Sequence, residues 1–184
     1  MNKSRAFTLI ELMITISIIS ILFGVALPSF DNLLKRKKVS ANVQRLMQTI
    51  QMSRLQAITK NIRVTLCPID HSLNCSSNWS TGYMAFIDKS GNREYDSDDI
   101  LLYQFNSEDE RTRLTWRAFG FRKSLQWLET GITNHQNGTF EFCIDNDAKF
   151  ARGLFLTKAG RVRHSKDNDG DGIHEKVSGA PINC

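Results

Sequence analysis

Few side chains in this sequence are placed to do chemistry, and the most conspicuous is Glu11. It is the only formal charge in the apolar stretch 7–27, where a lone carboxylate needs a compensating partner. A second candidate is Gly160-Arg161-Val162-Arg163. If Arg161 opens a strand, Arg161 and Arg163 project to one side roughly 6.6 Å apart, a spacing that suits neighbouring phosphates on one nucleic-acid strand. Lys158 and Lys166 would add charge, and 149–166 also holds Lys149 and Arg152 with no acid among the six cations. The alternative is a surface strand whose arginines pair with Asp167 or Asp169.

The four cysteines, Cys67, Cys75, Cys143 and Cys184, lack the Cys-x-x-Cys spacing of zinc and redox sites. An even number beyond an apolar segment suits two disulfides in an oxidising compartment. Three pairings are open. Cys67–Cys75 with Cys143–Cys184 is favoured, because cysteines near in sequence meet easily and the C-terminal tail has little apolar content. The longer bridge would contribute about 4 kcal/mol through loop entropy.

Asp167-Asn168-Asp169-Gly170-Asp171-Gly172 resembles the start of an EF-hand calcium loop. Its twelfth position is Ser178, however, and Glu175 stands out of register, so a polar turn is expected and no metal is assigned. A looser acidic stretch, 88–99, is likewise expected to be a solvated turn. His71, His135, His164 and His174 show no ligand spacing. No nucleophile elbow, phosphate-binding loop or paired-acid motif is present, which argues against an enzyme and against a cofactor.

These residues need elements to position them. The 21 residues 7–27 would form a helix of roughly 30 Å, the thickness of a bilayer core. A cleavable secretory signal and an ordinary anchor both fit the hydropathy. The run is longer than a signal's apolar region, while Lys35, Arg36, Lys37 and Lys38 would orient a simple anchor with its domain in the cytoplasm. Val39, Val43, Leu46, Met47, Ile50, Ala57 and Ile58 then recur at three- and four-residue steps, so the helix continues past Pro28 with one apolar face and a basic opposite face. Beyond Asn61, strands are expected at 63–67, 82–87, 100–105, 112–116, 138–144 and 153–157. Their spacing suits antiparallel sheets. The fold class is therefore α+β: one long N-terminal helix, half membrane-like and half amphipathic, on a β-rich head.

Ala6-Phe7-Thr8-Leu9-Ile10-Glu11-Leu12 resembles the processing site of type IV pilins and type II secretion pseudopilins. That resemblance implies cleavage by a prepilin peptidase between Ala6 and Phe7, methylation of the new Phe7 amino group, and a filament-assembly role for Glu11. Pro28 matches the family's helix proline, whereas Ala6 stands where the family usually has glycine. The implied segments are a leader (1–6), a membrane helix (7–27), an amphipathic stem (28–61) and a periplasmic head (62–184). The head resembles the FimT/GspH group of minor pilins and pseudopilins through 82–88, 99–101, Phe142-Cys143 and the Gly-Arg-x-Arg run. In FimT-like proteins that run is associated with DNA uptake, which implies double-stranded DNA as a partner of Arg161 and Arg163. The expected protein is a minor pilin stored in the bacterial inner membrane and partnered by other pilins. A GspH-type pseudopilin of type II secretion is the nearest alternative, and an anchored periplasmic enzyme a remote one.

Overall fold

The computed structural model describes residues 8–70, 72–118, 120 and 123–184. The proposed cleavage residues Ala6 and Phe7, and His71, lie outside them. Helix α1 (Leu9–Lys60) is continuous past Pro28. The chain divides into two compact units at the Lys37–Lys38 bond.

In the first unit, Ile18, Ile19, Ile21, Leu22 and Phe23 are all exposed, so adjacent positions present apolar surface around the helix. The polar side chains here are satisfied internally. Thr15, Ser17 and Ser20 donate their hydroxyl protons to the carbonyls of Leu12, Met13 and Ile16. The helix is long and apolar enough to cross a membrane.

The second unit begins where the apolar pattern narrows to a stripe. Val39, Val43, Leu46, Ile50 and Ala57 are buried, with Ser53 and Thr49 returning their hydroxyls to the backbone one turn earlier. One expected member departs from the stripe, Ile58 at 45% exposure, while Met47 is partly buried and packs against the core. Asn61 stops the helix by adopting a left-handed φ of 50°. The Ile62 N–H then reaches Ala57 O and the Asn61 N–H reaches Ile58 O, satisfying carbonyls the last turn would leave open.

Eight strands follow: β1 (Val64–Pro68), β2 (Gly82–Ile87), β3 (Ile100–Asn106), β4 (Thr112–Ala118), β5 (Leu125–Trp127), β6 (Gly138–Ile144), β7 (Asp147–Leu156) and β8 (Val162–His164). They form two four-stranded antiparallel sheets, ordered β3-β2-β1-β5 and β4-β6-β7-β8. Both sheets and the stripe from Val39 to Ala57 share one core around Trp127, Tyr83, Phe140 and Phe142. Phe140 lies at its centre, edge-on to Trp79 at 4.8 Å and stacked on Trp116 at 4.2 Å.

The strand pattern differs from expectation in two places. β5 is an additional, fully buried strand. β7 begins at Asp147, six residues before the expected 153, because Asp145 and Asn146 both take positive φ, 53° and 56°, and close a tight hairpin with β6. The 88–99 stretch is also not simply a solvated turn. Asp88 is fully buried and accepts hydrogen bonds from Thr65 Oγ1 (2.7 Å), Gln126 Nε2 (2.7 Å) and the Gly91 N–H (2.6 Å). This carboxylate ties the β2–β3 loop to β1 and β5.

Lys38 clasps Asp109 at 2.8 Å. Burial pushes the Asp109 carboxyl up, but hydrogen bonds from Lys38, Thr112 and the Arg111 N–H outweigh it and hold the group below the usual aspartate range. Its stabilisation is therefore full above the unfolded-state value near 3.8 and is lost as pH falls through the lower folded value. Asp109→Asn is expected to cost about 1 kcal/mol at neutral pH, allowing for partial exposure. Thermal melts at pH 7 and pH 3 should show a smaller difference for the variant than for the wild type. Equal differences would rule out this contribution.

Candidate functional site

At the helix start, Glu11 is held in a reciprocal cap. Its Oε2 accepts from the Thr8 N–H at 2.9 Å and the Thr8 hydroxyl at 2.8 Å, and the Glu11 N–H returns to Thr8 Oγ1 at 3.3 Å. A carboxylate at this third helical position fills two otherwise open donors. Thr8 was not singled out by sequence reasoning, although Thr-x-x-Glu before an apolar run is the signature of this cap.

The arginine pair sits at a corner of the second sheet. Thr157 and Arg161 bracket the 158–160 turn, with the Thr157 N–H on Arg161 O at 3.0 Å. Gly160 has φ +74°, and a Cβ there would stand 2.6 Å from Gly131 O and 2.9 Å from Arg54 Nε. Arg54 in turn donates to Gly131 O at 2.9 Å. The turn is thus pressed against α1, and only glycine meets both the backbone and the space requirement. β8 then forms the outer edge of its sheet, with Arg163 opposite Phe155. Val162 packs against the core while Arg161 and Arg163 are exposed. The Arg163 guanidinium lies 5.5 Å from the Phe155 ring centroid, a cation–π arrangement that pins it over the sheet.

Lys158 and Lys166 are exposed beside the pair. Among the described residues, none of Arg161, Arg163, Lys158 and Lys166 forms an ion pair, so the expected alternative of pairing with Asp167 or Asp169 is not adopted. Two open depressions, of about 630 Å³ and 570 Å³, meet at Arg163 and Phe155. Lys166 and Lys176 line the first, and Lys158 the second. Lys176 was missed in the sequence because it lies beyond the acidic run.

The tail is folded back over the outer face of the second sheet. Cys143 is bonded to Cys184, and Cys67 to Cys75. Ile182 is buried over Gly153, where a Cβ would approach its Cδ1 to 3.1 Å. Glu141, also buried, meets Arg117 at 3.0 Å and Lys176 at 3.5 Å. The Glu175 N–H bonds to Lys166 O, so the intervening residues form a closed loop. That closure carries Glu175 to Asp167, Asp169 and Asp171, all four offering carboxylate oxygens within 4.8 Å of one another. Three of these groups are exposed, and the loop's own N–H groups already engage them. Asp167 is held below the ordinary range chiefly by the Gly170 N–H. Burial and the nearby Arg152 push the His174 imidazole down, and its Nδ1 lies 2.8 Å from Ser165 Oγ.

Comparison with known proteins bears on the fold and on the N-terminal segment. Residues 42–160 match the family model described as type II transport protein GspH, and residues 1–27 match the prokaryotic N-terminal methylation motif. The pilin-like protein PilA1 of Thermus thermophilus is 30% identical over 92 residues, covering 50% of this chain and 53% of that one. Prepilin peptidase-dependent protein D of Escherichia coli is 35% identical over 71 residues, covering 39% of this chain and 41% of that one. The chain therefore spans about half or less of the length of these relatives. The crystal structure of the type IV minor pilin FimU of Pseudomonas aeruginosa superposes with a TM-score of 0.58 at 16% identity, over 83% of this chain and 98% of that one. This likeness concerns the fold.

The tail has few apolar anchors besides Ile182, so its position depends on the Cys143–Cys184 bridge. Cys184→Ser is expected to destabilise the protein by about 3 kcal/mol and to open the tail to protease. Non-reducing thermal melts and limited proteolysis test this. An unchanged melt and an intact tail would mean that packing alone holds the segment.

Proposed function

Because the chain belongs to the GspH family of pilin-like proteins, we propose that it is a minor subunit of a type IV pilus, stored in the bacterial inner membrane and drawn from there into the filament. Its family is one of structural subunits rather than enzymes. The observation that carries this reading is the continuity of one helix from an N-terminal methylation motif, through an apolar segment, into the core of a disulfide-bonded β head. In this reading a prepilin peptidase cuts between Ala6 and Phe7, and Phe7 becomes the methylated N-terminus. The head lies in the periplasm, whose oxidising chemistry suits its two disulfides. Other pilins are its partners.

Glu11 then has two successive roles. Before assembly it caps its own helix through Thr8. In the filament its charge offsets a neighbour's N-terminal ammonium, which makes its burial tolerable. Glutamine serves the cap as well as glutamate but carries no charge. Glu11→Gln and Glu11→Ala are therefore both expected to insert in the membrane and to fail in filament entry, measured by immunoblotting sheared filaments. Normal entry of Glu11→Gln would reduce the residue to a cap.

The exposed, unpaired Arg161 and Arg163 support a further role, contact with double-stranded DNA during uptake, assisted by Lys158 and Lys166. This favours the pilus over the type II secretion pseudopilus, in which the same anchor and head would serve protein export. Full-length protein in detergent is expected to bind duplex DNA with an affinity that falls steeply with salt. Arg161→Ala/Arg163→Ala should weaken binding and reduce the log–log salt slope by about two. Equal binding by both proteins, or by neither, would shift the choice towards an assembly-initiating pilin or the secretion pseudopilin.

A further inference from the structure

The second sheet has another edge, opposite the arginine pair. β4 is its outermost strand and is paired with β6 alone among the described residues. The direction of its free hydrogen-bonding groups can be read from Leu114. The Leu114 N–H donates to Ser80 Oγ at 3.1 Å, and the Ser80 hydroxyl donates to Leu114 O at 3.3 Å. Both Leu114 main-chain groups thus point away from β6. The β4–β6 register is regular from Thr112 to Ala118, so by alternation Trp116 and Ala118 also turn their N–H and C=O outward. Ser80 blunts the edge at Leu114 only.

Those outward groups face a cleft of about 510 Å³ between the β4 edge and the 77–80 segment. The 77–80 wall is fixed, because Trp79 is buried and its Nε1–H donates to Lys123 O at 3.1 Å. Arg113, Arg117 and Lys123 line the cleft, Arg113 also donating to Cys184 O, and no carboxylate side chain lines it among the described residues. Arg117 shares the single buried carboxylate of Glu141 with Lys176, so that trio keeps a net positive charge. Trp116, half-buried against Phe140, adds apolar surface, and no described group accepts its indole N–H.

An open strand edge, a fixed wall and unbalanced positive charge are the requirements for adding an extended, acidic strand. Main-chain hydrogen bonds would supply the affinity, and alternate side chains would meet the basic lining. We propose that this cleft docks an extended acidic segment of another protein subunit, which joins the second sheet as a fifth strand beside β4. The site lies on the opposite edge from β8 and does not depend on DNA binding there.

The test uses full-length protein in detergent micelles and a fluorescein-labelled octapeptide of alternating valine and aspartate, followed by fluorescence anisotropy. Two control peptides accompany it: one with lysine at each aspartate, and one with alternate backbone amides N-methylated along one edge. The valine–aspartate peptide is expected to bind, and both controls to bind at least about tenfold more weakly. Ala118→Pro removes one outward N–H without touching the ladder to β6, since proline is tolerated on the free side of an edge strand. It should weaken the peptide by about tenfold while leaving the melting temperature within a few degrees of wild type. Lys123→Glu should weaken it similarly. Absence of binding at 1 mM peptide (about the weakest affinity a docking strand needs) overturns the proposal. Equal binding of the N-methylated peptide, or of wild type and Ala118→Pro, also overturns it, because the cleft would then be acting as a charged patch open to any polyanion, nucleic acid included.

Discussion

One continuous helix carries two different surfaces, exposed apolar side chains in its first half and a buried apolar stripe in its second, and the head is built on that stripe. Over its first half the hydrocarbon-like side chains are exposed at adjacent positions, and the hydroxyls of Thr15, Ser17 and Ser20 return to their own backbone. Over its second half only a stripe from Val39 to Ala57 is apolar, and the head must cover that stripe. The head therefore has no independent centre: its core is built on the stripe, with both sheets contributing. The Thr8–Glu11 cap and the Asn61 stop close the two ends of the same element in opposite ways, one with a side-chain carboxylate and one with a left-handed residue.

Around this core the charged groups are sorted by edge. The β8 edge carries Arg163 over an aromatic ring beside a glycine turn, and neither of its arginines forms an ion pair with the acidic loop that follows. In that loop Asp167 accepts hydrogen bonds from the Gly170 and Gly172 N–H groups rather than pairing with an arginine. The β4 edge is basic for another reason, since Arg117 and Lys176 converge on one buried glutamate. Both edges thus keep positive charge because the acids that could cancel it are already committed to the fold.

Much of this was legible in the sequence, and what was not had specific physical causes. The helix and most strands follow from apolar periodicity, and the Arg161–Arg163 spacing announces itself. β5 escaped notice because its central residue is Gln126, which reads as polar but is wholly buried in the network around Asp88. Asp88 was misread for the complementary reason: a carboxylate in an acidic run looks solvated until two donors from other strands, Thr65 and Gln126, close on it. The early start of β7 is hidden by the charged residues Asp147, Lys149 and Arg152, whereas the Asp145–Asn146 pair that sets the turn is a hairpin signal. Ile58 shows the limit of counting steps along a helix, because the stripe drifts past it as it turns away from the core. Glu175 joins the aspartates through a loop closure that no linear motif encodes.

The strand order has a kinetic meaning of its own. The chain lays down β1, β2 and β3 in one sheet, crosses to place β4 in the other, and returns for β5 before completing β6, β7 and β8. Hairpins such as β6–β7 close locally and fast, but Val64 must wait for Trp127 to arrive from the far side of β4. Neither sheet can therefore be finished while the other is absent. A nascent chain that has emerged only as far as β4 holds one incomplete sheet and a strand still without its partner, and both present open edges to mispairing.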